Sequence, residues 1–218
     1  MKRRSISLEK MAFSLVELMI SLAVGSLILA AVVSSTIAMQ KLFAATDQYY
    51  MATSDQMRVL DFIALDMRRA VTGNVSNSAQ TLTLTLPDYV DYTQSPPAPR
   101  TPTVSVMGKV IYGASASQPT VSYSISGTAP NQVIQRTYTG SNGSVVTTTL
   151  TSAAANYQIS FFDPANPGST TAFSLGGFGQ ASSLTAQITF APRFNRLNFA
   201  SSRQSATASM TMLMRNHQ

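Results

Sequence analysis

Leu18 to Met39 is a run of 22 residues without a single charge. About 20 helical residues cross the hydrocarbon core of a bilayer, so the run is long enough to span one. Gly25 and the serines within it fit that reading, because small residues are frequent in membrane helices. Lys2, Arg3, Arg4 and Lys10 precede the run, and only Lys41 follows it closely. The positive-inside bias then predicts a cytoplasmic N-terminus, with the rest of the chain on the other side. A secretory signal carries a shorter apolar region, about 7–15 residues, followed by a small-residue cleavage site. Ala30-Ala31 and Ile37-Ala38 offer such sites, but the run is long and Glu17 stands at its start. A plain membrane anchor explains everything except Glu17.

Charge and cysteine content remove several function classes. The chain carries a net charge of +6. Four basic residues and Glu9 in the first twelve positions account for half of it (4 − 1 = +3). The remaining basic and acidic residues are scattered, which does not describe a nucleic-acid-binding patch. There are no cysteines, which excludes disulfides and cysteine-based metal or catalytic sites. The single histidine, His217, lies next to the C-terminus, a poor position for a triad or a metal cluster.

Glu17 is the informative residue of the apolar segment. A carboxylate one turn into such a helix is expensive, and groups of this kind usually have a partner. The alternative is that it lies at the headgroup level. Ahead of it, a basic leader ends in Ala12 and is followed by Phe13-Ser14-Leu15-Val16-Glu17-Leu18-Met19-Ile20. Here the sequence resembles type IV prepilins and type II secretion pseudopilins. In that family a prepilin peptidase cuts before the Phe and N-methylates it, and the Glu pairs with the N-terminal ammonium of a neighbouring subunit. The resemblance thus implies cleavage between Ala12 and Phe13, methylation of Phe13 and an assembly salt bridge at Glu17. Ala12 departs from the family, which usually has Gly before the cut. Burying either charge alone is costly, and pairing offsets part of the desolvation, so the pair can set register between subunits.

Helix formation is predicted to continue beyond the membrane segment, from Ser14 to about Thr72. No proline occurs before Pro87 and no glycine between Gly25 and Gly73. Such a helix is about 90 Å long at 1.5 Å per residue. Met57, Leu60, Ala64, Met67 and Val71, widened by Ile63, form an apolar stripe at helical spacing. Arg58 with Asp61, and Asp66 with Arg69, are spaced to support an exposed face. Gly73-Asn74 supplies the stop. The segment Leu60–Ala70 and the terminal Met214-Arg215-Asn216 resemble the corresponding parts of PilW-like minor pilins, with GspJ-type pseudopilins a close second. The resemblance is carried by about the first 30 residues and extends to about residue 72.

After Gly73 the pattern changes to period two. Thr81–Leu86 alternates Thr and Leu, and further strands are predicted over Val104–Tyr112, Thr120–Ser126, Gln132–Thr139, Val145–Thr151, Tyr157–Phe162, Leu184–Phe190 and Ala206–Met214. Gly140-Ser141-Asn142-Gly143 reads as a hairpin turn. The predicted fold class is therefore α+β: a long N-terminal helix, with a membrane half and an amphipathic half, packed on an antiparallel β head. The divisions are residues 1–12 (leader), 13–39 (membrane or filament-core helix), 40–72 (amphipathic continuation) and 73–218 (β-rich head). Ser95–Pro102, rich in proline, and Asp163–Ser169 with Gly176–Gly179 are loops that can serve as interaction surfaces or as spacers.

Chemistry-bearing motifs are sparse. There is no phosphate-cradling glycine loop. Asp88 and Asp91 offer two carboxylates, against the six to eight oxygens, approximately, of a calcium site. Tyr89, Tyr92 and Arg100 can stack on bases, although a β-edge or core role suits them as well. No enzyme activity, metal or cofactor is expected. The resemblance implies a single-pass inner-membrane protein that later enters a pilus: a structural minor pilin that initiates or caps a type IV pilus. Its partners would be other minor and major pilins, the prepilin peptidase and the inner membrane. The alternatives are a secretion pseudopilin and a filament-tip module for adhesion or DNA uptake.

Overall fold

The computed structural model describes residues 14–76, 78–104, 110–112, 118–152, 155–166, 169, 171–175, 183–192 and 205–214. Among the described residues one α-helix, α1 (Leu15–Arg69), precedes thirteen strands. The chain divides into two compact units, Met1–Thr46 and Asp47–Gln218, with the division inside α1.

In the first unit every residue from Leu15 to Ala44 is exposed. Ser14 caps this helix, its Oγ accepting from the Glu17 N–H at 3.2 Å. The hydroxyls of Ser21, Ser26 and Thr36 donate back to the carbonyls of Glu17, Ala23 and Val32 at 2.8–2.9 Å. These three hydroxyls are thus satisfied within the helix itself, which suits lipid or a packed helix interface.

In the second unit α1 buries one face: Ala52, Asp55, Gln56, Val59, Leu60, Ile63, Ala64, Asp66 and Met67. These spacings of three and four are one helical stripe, and it includes Leu60, Ile63, Ala64 and Met67 of the stripe predicted. Met57 is 59% exposed, and Asp55, Gln56 and Asp66 take places that residue type alone assigns to apolar side chains.

The strands form two principal antiparallel sheets. The first is six-stranded, in the order β11 (Phe173–Leu175), β1 (Thr72–Val75), β2 (Leu82–Thr85), β7 (Thr120–Ser126), β8 (Val133–Thr139) and β9 (Val145–Thr149). The second joins β10 (Ala155–Phe162), β12 (Ser183–Pro192) and β13 (Ala206–Leu213). Alternation supplies the core: Leu82 and Leu84 point inward from β2, and Tyr157, Ile159 and Phe161 from β10. Leu184, Ala186, Ile188 and Phe190 do so from β12. Full burial of each large apolar side chain contributes about 1.5–3 kcal/mol. The fold class is α+β, as expected.

Three expectations need correction. The helix ends at Arg69, and Gly73-Asn74 belongs to β1 rather than to a helix stop. A Cβ at Gly73 would stand 2.9 Å from Leu84 Cδ2 and 3.1 Å from Leu175 Cδ1, so the glycine serves close packing between strands. Residues 104–112 are not one strand. They contribute to β5 (Thr103–Val104) and β6 (Val110–Ile111), which pair antiparallel with each other. Arg58 pairs with Asp55, not Asp61, and Asp66 pairs with Arg136 of β8, not Arg69. Within Ser95–Pro102, β4 (Ala98–Pro99) pairs with β3 (Val90–Asp91), which ties this proline-rich loop down.

Candidate functional site

The exposed half of α1 is the surface with the most distinctive chemistry. It presents Leu15, Val16, Leu18, Met19 and Ile20, each 59–75% exposed, and Glu17 is the charge among them. Glu17 lies in the first turn of α1. There its carboxylate favourably meets the positive end of the helix dipole. The sequence Ser14-x-x-Glu17 has capping-box spacing, but only one half of the box forms. The carboxylate does not bond back to the Ser14 N–H. Among the described residues no basic side chain pairs with it. Ala12 and Phe13, the residues expected to flank the cut, lie outside the described residues, as do His217 and Gly176–Gly179.

By length and composition, α1 is a helix able to cross a membrane, and none of its apolar window is buried. The remainder of α1 serves the head through three buried polar residues. The Asp66 carboxylate accepts from Arg136 Nε at 2.8 Å and Nη2 at 3.1 Å, and from the Tyr123 hydroxyl. Burial raises the Tyr123 phenol well above its usual range, and the adjacent Asp66 charge raises it further. Desolvation lowers the Arg136 guanidinium, but its bonds and charge pairing with Asp66 outweigh that and hold it above its usual value. Asp55 accepts from the Ser152 N–H at 2.6 Å, the Tyr157 hydroxyl at 2.8 Å and Arg58 at 3.0 Å. Gln56 Nε2 donates to the carbonyls of Ile188 at 2.8 Å and Ala206 at 3.1 Å. Together these bonds fix α1 to both principal sheets.

Sequence reasoning missed these anchors. The signal lay in register, because Asp55, Val59, Ile63, Asp66 and Ala70 form a buried series at spacings of four, four, three and four. An acid within an otherwise apolar stripe marks a position that needs a distant partner.

The loop that carries Asp88 and Asp91 is closed by its own cation. Arg100 Nη2 lies 3.0 Å from Asp88 Oδ2 and 3.6 Å from Asp91 Oδ1, and Ser141 Oγ donates to Asp88 at 3.0 Å. The place that a metal would take beside these carboxylates is held by a guanidinium. The Asp91 carboxyl is lowered first by the Thr93 hydroxyl and then by the Thr93 N–H. Tyr89 packs edge-on against Tyr112, with ring centroids 4.8 Å apart. Among the described residues no group of three or more His, Cys, Asp or Glu side chains is placed to hold a metal.

No family model, curated protein or solved structure matches the chain.

Proposed function

We propose that this chain is a structural subunit of a type IV pilus-like filament, of the minor-pilin class, anchored in the membrane by α1 before assembly. The observation that carries the reading is Glu17, a carboxylate in an exposed apolar helix, without a cationic partner among the described residues. A membrane or filament interior makes an unpaired carboxylate costly, and an ammonium from a neighbouring chain offsets that cost. Cleavage between Ala12 and Phe13 would create such an ammonium. The basic residues before the apolar run support a cytoplasmic N-terminus and an outward-facing head. Partners on this reading are other pilins, the prepilin peptidase and the inner membrane.

The Ser14 cap favours a second reading, in which Glu17 only stabilises the start of a plain membrane anchor. One substitution separates the two. Glu17→Val is expected to leave membrane insertion intact and to remove the protein from sheared filaments. Normal incorporation of that variant sinks the filament reading. Intact-mass analysis with and without the prepilin peptidase tests the processing step, and a methylated Phe13 start is the expected product.

A further inference from the structure

The turn between β8 and β9 is made by Gly140-Ser141-Asn142-Gly143, and Asn142 is the one asparagine of the chain that a glycine follows. Asn142 and Gly143 are both exposed. Gly143 has φ of +80°, with nothing within 4 Å of where a Cβ would stand. The Asn142 Oδ1 accepts from the Ser144 N–H at 3.0 Å. This side-chain turn reaches over the intervening Gly143 peptide and holds the amide carbonyl against it. Gly140 makes room for the arrangement, since a Cβ there would stand 2.8 Å from Asn142 Oδ1 and 2.8 Å from Ser144 Oγ.

A turn of this kind is set for an internal reaction of the asparagine side chain. The Gly143 nitrogen can attack Asn142 Cγ and close a five-membered imide. Charge develops on Oδ1 as the new bond forms, and the Ser144 N–H already donates to that atom. Groups held beside each other need little further ordering to react. One contact opposes the step, because the Gly143 N–H donates to the Gly140 carbonyl at 2.9 Å. Opening one exposed bond of ordinary strength costs about fivefold in population, which the preset geometry and the Ser144 donor offset.

The other asparagines among the described residues are held differently. Asn74 lies in β1, between β2 and β11, and the buried, branched Val75 follows it. After Asn131, the Gln132 N–H donates to Asn156 Oδ1 at 3.3 Å. After Asn156, the Tyr157 N–H donates to the Gln132 carbonyl at 3.3 Å. Asn166 is followed by Pro167, whose nitrogen carries no proton.

We propose that Asn142 is a self-modification site, converted in the folded head to aspartate and isoaspartate. The bond from the Gly143 nitrogen to Cγ forms as the Cγ–Nδ2 bond breaks. The amide leaves as ammonia, taking the proton of the Gly143 N–H. Water then adds to either imide carbonyl. Addition at Cγ breaks its bond to the Gly143 nitrogen and leaves aspartate. Addition at the backbone carbonyl breaks the original peptide bond and leaves the isoaspartate linkage. Water is the only co-reactant. Either product puts a carboxylate next to Ser141, whose hydroxyl donates to Asp88 at 3.0 Å, where Arg100 already serves both Asp88 and Asp91. The tip of the hairpin thus changes from neutral to acidic as the head ages. The reaction does not depend on filament assembly, so its test is independent of the filament reading.

Full-length protein in micelles is aged at neutral pH, and its proteolytic peptides are followed by mass spectrometry. The expected first event is loss of ammonia at Asn142, then gain of water, at least tenfold faster than at any other asparagine among the described residues. Asn142→Gln is expected to slow the loss at this position at least tenfold, because its longer side chain would have to close a larger ring. An unfolded chain also favours an asparagine before glycine, so the rate in guanidinium chloride separates fold from sequence. The folded head is expected to convert at least as fast as the unfolded chain, with unchanged near-UV circular dichroism verifying the fold. A folded rate below the unfolded one, earlier conversion at another asparagine, or undiminished loss in Asn142→Gln overturns the inference.

Discussion

Removal of the Asp66 carboxylate tests whether buried polar bonds hold α1 on the head. Asp66 is 1% exposed and Tyr123 is 0% exposed. The Arg136 side chain keeps 21% of its surface, so water can take over part of its solvation. Breaking a buried pair costs about 3–5 kcal/mol, and this residual exposure favours the lower end. In Asp66→Ala the Tyr123 hydroxyl also loses its acceptor, at about 1–3 kcal/mol. The expected loss is therefore about 4 kcal/mol, a large share of the roughly 5–15 kcal/mol that stabilises a domain. Asp66→Asn keeps one acceptor for Tyr123 and is expected to cost about 2–3 kcal/mol. Asp66→Leu with Arg136→Met removes both charges and is expected to recover most of the loss, because no uncompensated ion remains. Urea unfolding of the full chain in micelles measures these values, and near-UV circular dichroism of its eight tyrosines provides the signal. A loss below about 1 kcal/mol for Asp66→Ala, or a double variant as unstable as the summed singles, refutes the reasoning.

Two further outcomes follow from geometry and burial. Gly127 has φ of +88°, and a Cβ there would stand 2.6 Å from the Asn131 carbonyl oxygen. Gly127→Ala is expected to lower stability by at least about 1–2 kcal/mol, read as a lower urea midpoint. Gly25→Ala, with nothing within 4 Å, is expected to leave that midpoint unchanged. Burial raises both the Tyr123 and Tyr157 phenols above the ordinary phenol value of 10.0. A group raised in the folded state contributes stability that is complete below the unfolded value and is lost as pH rises beyond it. Spectrophotometric titration is expected to show these two phenols ionising only as the head unfolds. Ionisation of all eight before the near-UV signal is lost counts against this.

Local pattern made much of the fold legible. The Thr120–Ser126 strand coincides with β7, and the Gly140–Gly143 turn was marked by its glycines; Gly143 has φ of +80°. The place of Glu17 at the start of the helix was legible, because the uncharged run follows it directly. The anchors on α1 were not, because their partners are remote in sequence. Asp66 and Arg136 are 70 residues apart, Asp55 and Tyr157 102, and Gln56 and Ile188 132. A stripe drawn from apolar residue types passed through Met57 instead, and that side chain faces outward. β1 and β11 are four and three residues long, too short for alternation to distinguish from loop.

The bond from Gln56 to the Ala206 carbonyl spans 150 residues and has a consequence for biosynthesis. Residue 56 leaves the ribosome long before its partner exists. At about 5–20 residues per second, the interval is roughly 8–30 s. Throughout it, the α1 face bearing Val59, Ile63 and Met67 lacks strand β13, the last strand among the described residues. The apolar half of α1 needs no such partner and is ready for a bilayer as soon as it is made. Insertion can therefore come first and closure of the head last. A chain truncated before Ala206 would keep a helix able to cross a membrane yet lack the strand that completes its core.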